Sequence, residues 1–180
     1  KNSIINHSYL NLKKVDALIF SWGRSQVVEE KLIDPHTFYL KEDLIKQKTS
    51  FIEFESPYKG KHLRKKEYYK RYLDSILILR NIKNVFIKTL ISAKSKQIIT
   101  QLSNDINQKG DSFLDVKQML INNTKKFKPT YSFYLNILKK TQPQRIYLVV
   151  SYGRGELIKA ANDLNIEIIE LQHGTFSKYH

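Results

Sequence analysis

Residues 145–175 are RIYLVVSYGRGELIKAANDLNIEIIELQHGT, a pattern typical of a strand, a polar loop, a helix and a second strand. The first strand is predicted at 145–150, where the side chains are apolar and rich in β-branched types. Apolar residues recur on one face between Glu156 and Leu164, which predicts the helix, and 166–171 supply the second strand. Because a helix lies between the two strands, their connection must cross over, and we expect the strands to be parallel.

An apolar segment near the start of the chain ends in a loop of similar sequence. Residues 15–20 have the nearly continuous apolar pattern of a strand buried on both faces. The sequence that follows, SWGR at 21–24, is similar to SYGR at 151–154. Two interpretations stay open: the two loops lie side by side at one edge of the same sheet, or their likeness is coincidental.

The segments between these two units predict a mixed chain with a helix-rich middle. Pro and Gly residues divide the segments, and the periodicity of the apolar residues assigns each one to a helix or a strand. The expected elements are a helix within 26–33, a short strand at 36–40, weak helix at 44–48, a strand at 51–55, helix over much of 59–108, and helices at 113–122 and 129–140. Within 59–108 the pattern fits either one long helix or two helices broken near 81–84, and 85–87 could instead be a strand.

The length and composition of the chain suit one globular domain, and its basic charge leaves an anionic partner open. The chain has 180 residues, of which 41% are hydrophobic, and a net charge of +14, so it is long enough for a sizeable core and is not a disordered basic tail. It contains no cysteine, which excludes disulfides and Cys-based zinc sites. The charge suggests nucleic acid, an acidic membrane leaflet or a phosphate-bearing substrate, but a solvated Lys-rich face gives the same count.

Residues 62–72, HLRKKEYYKRY, combine basic side chains with interleaved tyrosines. Nucleic acid is one interpretation, because tyrosine rings stack on bases while cations contact phosphates. An amphipathic helix on an anionic membrane is a second interpretation. We favour the third, a solvated helical face with tyrosines at its margin.

Three segments are expected at the edge where parallel α/β sheets bind ligands, beyond the carboxyl ends of the strands. They are 21–25, 151–156 and 172–177. The loop at 151–156 leads into a helix whose backbone N–H groups favour an anion, and Arg154 adds a bidentate donor. The alternative is a tight turn in which the two glycines only satisfy the backbone geometry.

The polar segment that follows the last predicted strand is the more specific candidate. His173 is positioned to act as a general base or to donate a hydrogen bond to a phosphate, and Gly174 would allow close approach of a ligand. Thr175 is a candidate helix cap or phosphate ligand. The alternative is a structural histidine bound to a neighbouring loop. Glu53, Glu55 and Asp16 form no recognisable carboxylate pair or metal-ligand set in the sequence.

The ending LNIEIIELQHGTFSKYH, residues 164–180, resembles the first-domain signature of bacterial surface-polysaccharide glycosyltransferases of the GT-B type, which build capsule and lipopolysaccharide. It is more distantly similar to the His-Gly-Thr segment of CDP-glycerol glycerophosphotransferases. The resemblance implies a Rossmann-like parallel sheet flanked by helices, forming one half of a GT-B architecture. It also implies a metal-independent transferase without a cofactor, in which a second domain binds the nucleotide-sugar donor and the first binds a glycan or lipid-linked glycan acceptor.

By this resemblance His173 is the catalytic residue, in the cleft between the two domains. The loop positions and the resemblance together assign substrate binding to Gln172, Gly174, Thr175, Ser151, Tyr152, Gly153, Arg154, Trp22 and Arg24.

Residues 1–180 are expected to be a single acceptor-side domain. The chain has no initiator Met and stops just after the motif, so we expect an excised domain that lacks its donor-binding half and is inactive alone. The expected location is cytoplasmic, with peripheral contact at the anionic inner face of the plasma membrane. No nucleic-acid partner is expected. The alternatives are a basic nucleic-acid-binding domain without catalysis and half of a sugar-nucleotide epimerase.

Overall fold

The computed structural model describes residues 11–22, 26–28, 31–57, 62, 67–73, 91–109 and 115–171. The elements in these residues, numbered along the chain, are β1 Ala17–Ser21, β2 Gln26–Val28, β3 Lys31–Ile33, α1 Phe38–Lys46, β4 Phe51–Glu55, β5 Lys70–Tyr72, α2 Ala93–Lys109, α3 Val116–Thr141, β6 Arg145–Leu148, α4 Gly155–Asp163 and β7 Glu167–Glu170.

Five of these strands form one parallel sheet in the order β5-β4-β1-β6-β7. Counted along the chain, these five strands lie in the order 3-2-1-4-5, which is that of a doubly wound, Rossmann-like sheet. The predicted fold class, α/β with a parallel sheet flanked by helices, is therefore confirmed. The predicted parallel pairing of β6 with β7 is also confirmed, with Ile146 opposite Ile168.

The central strand β1 is buried along its whole length, as its continuous apolar sequence predicts. Leu18 and Phe20 face the side of the sheet that α3 and α4 cover, and the Phe20 ring stacks on Phe54 with centroids 5.1 Å apart. Ala17 and Ile19 face the opposite side, where Leu44 of α1 packs on them. Helices therefore cover both faces of the sheet, so a ligand can reach the sheet only at its edges.

Helix α4 lies close to the sheet because its inward face is built from small and branched side chains. Leu157, Ala160 and Ala161 are fully buried in the core between α4, α3 and the sheet. The helix ends before Asn165, whose φ of 54° is left-handed and reverses the chain into β7. Most of the element boundaries in this unit lie within one residue of the boundaries predicted from the sequence.

The prediction for residues 26–40 is wrong in both elements. A helix was expected in 26–33, but β2 and β3 pair there as an antiparallel hairpin, with Val27 opposite Leu32. A strand was expected at 36–40, but α1 begins at Phe38. The backbone carbonyl of Asp34 accepts hydrogen bonds from the N–H groups of Thr37 and Phe38, so the Asp-Pro pair starts a helical turn.

The helix-rich middle is partly confirmed. Helix α2 lies within the predicted 59–108 apart from its last residue, whereas residues 70–72 form the edge strand β5, where a helix was expected. The two helices predicted at 113–122 and 129–140 are one continuous helix, α3, with Pro129 inside it. None of the helices in the described part of the chain combines the length and the apolar character that crossing a membrane requires.

Candidate functional site

The carboxyl ends of β4, β1, β6 and β7 meet at one edge of the sheet. Between β1 and β6 the chain order reverses, and doubly wound sheets bind ligands in the crevice outside this switch point. Trp22 follows β1 there, and the loop 149–154 follows β6. Of the two interpretations of the similar loops, the side-by-side arrangement is supported by Trp22 and Arg154, which are in contact.

Arg154 holds this crevice together from inside. Its guanidinium lies 5.7 Å from the ring centroids of both Phe20 and Trp22. It donates hydrogen bonds to Ser56 Oγ at 2.8 Å and to the Tyr134 hydroxyl at 3.4 Å. The side chain is only 7% exposed, so it connects the ends of β1 and β4 to α3. Its predicted role as an anion clamp stays a prediction.

The other predicted site residues of this loop are Ser151, Tyr152 and Gly153, which are less buried than Arg154. The Ser151 N–H donates to the Glu170 carboxylate at 3.1 Å, which ties the loop to β7. Tyr152 is 73% exposed, and Gly153 has a φ of +68°, a backbone conformation that favours glycine. The indole N–H of Trp22 is buried and has no hydrogen-bond partner among the described residues.

The remaining predicted site residues lie outside the described part of the chain. They are Arg24, Gln172, His173, Gly174 and Thr175. The described chain leaves β7 at Glu170 and reaches Leu171, whose N–H bonds to the Leu148 carbonyl. The role of His173 as catalytic base and the substrate contacts of the four other residues stay predictions.

A buried ionic cluster, which the sequence did not predict, lies at the same edge beside β4 and β5. Its central members are Glu53 and Glu55 of β4, which are fully buried on the α1 side of the sheet. Lys70 Nζ lies 2.9 Å from Glu55 Oε2 and 3.9 Å from Glu53 Oε2. Lys41 Nζ is 3.0 Å from Glu53 Oε2, and Ser21 Oγ donates to Glu53 Oε1 at 2.7 Å.

Two residues extend the cluster towards solvent. Glu67 lies 3.3 Å from Lys70 Nζ, and His62 Nδ1 lies 2.7 Å from Glu55 Oε1. The His62 ring packs on Tyr72 with centroids 4.1 Å apart. Part of the basic segment 62–72 is therefore folded into the sheet edge, because Lys70 is 1% exposed.

The charges of the cluster shift the pKa values of Lys70, Glu67 and Tyr69. Burial alone would lower the pKa of Lys70, but the carboxylates of Glu53, Glu55 and Glu67 outweigh it and raise the pKa above its ordinary value. Burial alone would raise the pKa of Glu67, but Lys70 and Lys41 lower it below the ordinary range. Burial, together with Glu67, raises the pKa of Tyr69. Lys70 is therefore a cation and Glu67 an anion at neutral pH.

The sequence does carry a signal for this cluster. In FIEFE at 51–55, alternation places the glutamates on the same face as Phe51, and that face is buried against α1. Glutamates on an inward face need partners, so cations elsewhere in the chain were required. Their identity depends on the position of β5, which the helical prediction for this segment missed.

A cleft of about 880 Å³ opens where the β6–α4 loop faces α2 and α3. We call it the α2–α3 cleft. Its described lining residues are Ile91, Ser92, Ser95, Asn123, Thr124, Lys126, Phe127, Lys128, Gly153, Gly155 and Glu156. It therefore shares the loop 151–156 with the switch-point crevice.

No group of three or more His, Asp or Glu side chains suited to a metal ion occurs in the described ranges of the chain. Comparison with known proteins gives no significant match among protein-family models, curated proteins or solved structures. The fold and the site define an α/β protein with a doubly wound sheet and a polar crevice at its carboxyl edge.

Proposed function

We propose that this chain is the acceptor-side domain of a bacterial surface-polysaccharide glycosyltransferase of the GT-B type. The observation that supports it is the position of the motif Gln172-His173-Gly174-Thr175 directly after β7, the strand that ends at the ligand-binding edge of a 3-2-1-4-5 sheet. A second Rossmann-like domain would supply the nucleotide-sugar donor and complete the cleft.

The proposed reaction is transfer of a sugar to an acceptor hydroxyl. The hydroxyl oxygen forms a bond to the anomeric carbon of the donor, and the bond from that carbon to the nucleoside diphosphate or monophosphate oxygen breaks. His173 takes the proton of the hydroxyl as general base. Trp22 and Ser151 lie at the switch point beside the loop that Arg154 anchors, where they would contact the substrates.

The experiment is His173→Ala in the full-length protein, with transfer measured from a panel of UDP- and CDP-sugars. General bases contribute about 10²–10⁴-fold to rate, so we expect at least about a hundredfold loss of transfer with an unchanged thermal unfolding profile. His36→Ala, in the turn before α1, is the matched control and should retain activity. Retained transfer in His173→Ala would exclude its catalytic role, and an epimerised sugar nucleotide as product would favour the epimerase alternative.

The nucleic-acid alternative has a separate test. It requires the basic segment at 62–72 to bind phosphates, so retention on DNA or RNA should weaken when Arg64, Lys65 and Lys66 are neutralised. Lys70 of the same segment is buried among carboxylates, which removes one of its cations from any such surface. Equal retention before and after neutralisation would exclude this alternative.

A further inference from the structure

The α2–α3 cleft is large enough to hold a small molecule. Its volume of about 880 Å³ lies in the range of ligand pockets. It opens beside Gly153 and Gly155, at the carboxyl edge of β6, where this class of sheet binds ligands. A Cβ added at Gly155 would meet no atom within 4 Å, so the cleft reaches the backbone at the first turn of α4.

The uncharged residues of the lining suit a sugar, which has polar hydroxyl groups and an apolar C–H face. Asn123 brings an amide, which both donates and accepts hydrogen bonds as sugar hydroxyls do. The Ser92 and Ser95 hydroxyls bond to each other and the Thr124 hydroxyl donates to the Leu120 carbonyl, but their oxygens can still accept a hydrogen bond from a sugar. Phe127 offers an aromatic face against which the apolar C–H face of a pyranose can pack, and its ring is 40% exposed. The Phe127 ring is stacked parallel to Tyr131, one helical turn away, which holds its orientation.

The charged part of the lining favours an anion on that sugar. Lys126 and Lys128 line the cleft, and neither makes a salt bridge with a described residue. Ser92 accepts a hydrogen bond from the Ser95 N–H, so α2 begins at the cleft wall, as α4 does. The first turns of both helices therefore line the same cleft, where their backbone N–H groups favour an anion. Among the described lining residues Glu156 carries the one negative charge, so the two lysines leave the lining with a net positive charge.

We propose that the α2–α3 cleft binds a sugar that carries a negative charge, as a phosphate or a carboxylate, and that this sugar is the acceptor. The second half of the proposal rests on the proposed transferase function. The first half, binding of an anionic sugar, stands on the cleft alone. The anionic group would pair with Lys126 and Lys128, and the ring would contact Asn123 and Phe127.

The binding experiment is calorimetric titration of the full-length protein with four probes. They are methyl glucoside 6-phosphate, methyl glucuronide, methyl glucoside and inorganic phosphate. We expect one or both anionic sugars to bind at least about tenfold more tightly than the neutral sugar and than phosphate. The preferred anionic sugar identifies phosphate or carboxylate as the charge. Equal affinity for inorganic phosphate and sugar phosphate would overturn the proposal, because a basic patch alone explains it.

Variants of the cleft test its position. Phe127→Ala should weaken binding of the anionic sugar at least about tenfold, whereas Met119→Ala on the same helix, with a similarly exposed side chain, should leave it unchanged. Lys126→Gln with Lys128→Gln should weaken binding and its salt dependence, and Lys139→Gln with Lys140→Gln is the matched control. Unchanged binding in both cleft variants would overturn the proposal.

Gly155→Ala adds a second check that does not remove any contact. The new methyl group enters open space at the first turn of α4, so the unfolding temperature should stay or rise, because alanine is the better helix former. Binding of the anionic sugar should weaken, because the methyl group narrows the cleft. Lower stability with unchanged binding would contradict the proposed position of the ligand.

The two proposals fail in different ways. If the cleft variants bind and transfer like the unmodified protein while His173→Ala is inactive, the cleft proposal is wrong and the transferase proposal stands. If the cleft variants lose the anionic sugar but the full-length protein transfers no sugar, the binding site stands and the transferase function and the acceptor role are wrong.

Discussion

Arg154 is the residue at which a predicted ligand contact coincides with an observed structural role. Its guanidinium is buried between Phe20 and Trp22 and bonded to Ser56 and Tyr134. Sequence position indicated an arginine at a loop rim, but the aromatic rings that hold it come from β1 and from the residue after it. Such a partner set depends on tertiary packing and is invisible in the loop sequence.

Arg154→Ala is expected to lower the free energy of unfolding by about 3 kcal/mol, because it removes charged hydrogen bonds and contacts with two aromatic rings. Arg154→Lys should recover only part of this loss, since an ammonium lacks the planar fork. Urea denaturation measures both. Arg145→Ala is the control, because the Arg145–Glu167 pair is exposed and such pairs contribute little. Equal losses for Arg154→Ala and Arg145→Ala would contradict the assigned role.

Lys70 is the cation on which the buried ionic cluster depends most. Lys70→Met should lower the free energy of unfolding by about 3–5 kcal/mol, because Glu55 then stays buried without the Lys70 ammonium group that pairs with it. Adding Glu55→Gln should restore part of this loss. Lys46→Met is the matched control, since Lys46 pairs with Asp43 at an exposed position. A double variant as unstable as Lys70→Met alone would show that the charge of Glu55 is not the cause.

Among the elements, the sequence predicted secondary structure most accurately where the apolar residues follow one clear pattern. The unit β6–α4–β7 was predicted because its apolar residues are contiguous in the strands and lie on one face of the helix. The hairpin β2–β3 was missed because three-residue strands are too short to show a period of two. The edge strand β5, KRY, is charged, and tertiary pairing with β4 overrides its sequence.

Two helices were predicted in place of α3, because Pro129 lies within it and proline usually begins or ends a helix. The helix continues through it since Asp115 caps its start and Tyr134, Ile137 and Leu138 are buried near its end. A proline in a helix interior costs up to about 3 kcal/mol relative to alanine.

Pro129→Ala is therefore expected to raise the free energy of unfolding by about 1–3 kcal/mol, because it restores a backbone N–H inside the helix. Thermal and urea unfolding measure the change. Lys125→Ala, one turn earlier on the exposed face of α3, is the control and should change little. A loss of stability in Pro129→Ala would indicate that packing of the proline ring outweighs its cost to the helix.

For the molecule as a whole, the candidate site was predicted in its location but not in its internal structure. Parallel topology places the carboxyl ends of β1, β6 and β7 at one edge, and Trp22 and Ser151 lie there as the sequence predicted. The ionic cluster and the α2–α3 cleft both depend on contacts between elements distant in the chain. Such contacts require the positions of β5, α2 and α3, which periodicity does not give.

The molecule is also expected to lose stability in acid through carboxylates that the fold keeps ionised. Lys70 and Lys41 hold the pKa of Glu67 below its ordinary value despite burial, and hydrogen bonds from Ser50 lower that of Asp16. A carboxyl whose folded-state pKa is depressed stabilises the fold above its unfolded pKa, which is about 4.5 for Glu67. That stabilisation is lost as the pH falls through the lower folded-state value.

Urea unfolding between pH 7 and pH 2.5 should therefore show a stability that is level near neutrality and falls below about pH 4.5. Because the net charge of +14 adds self-repulsion in acid, the series should be repeated in 0.5 M salt, which screens surface charges. Glu67→Gln removes one of the groups that titrate and should flatten the fall. Lys70→Met should flatten it as well, because it removes a cation that depresses the pKa of Glu67. An unaltered acid slope in both variants would show that the fall arises outside the ionic cluster.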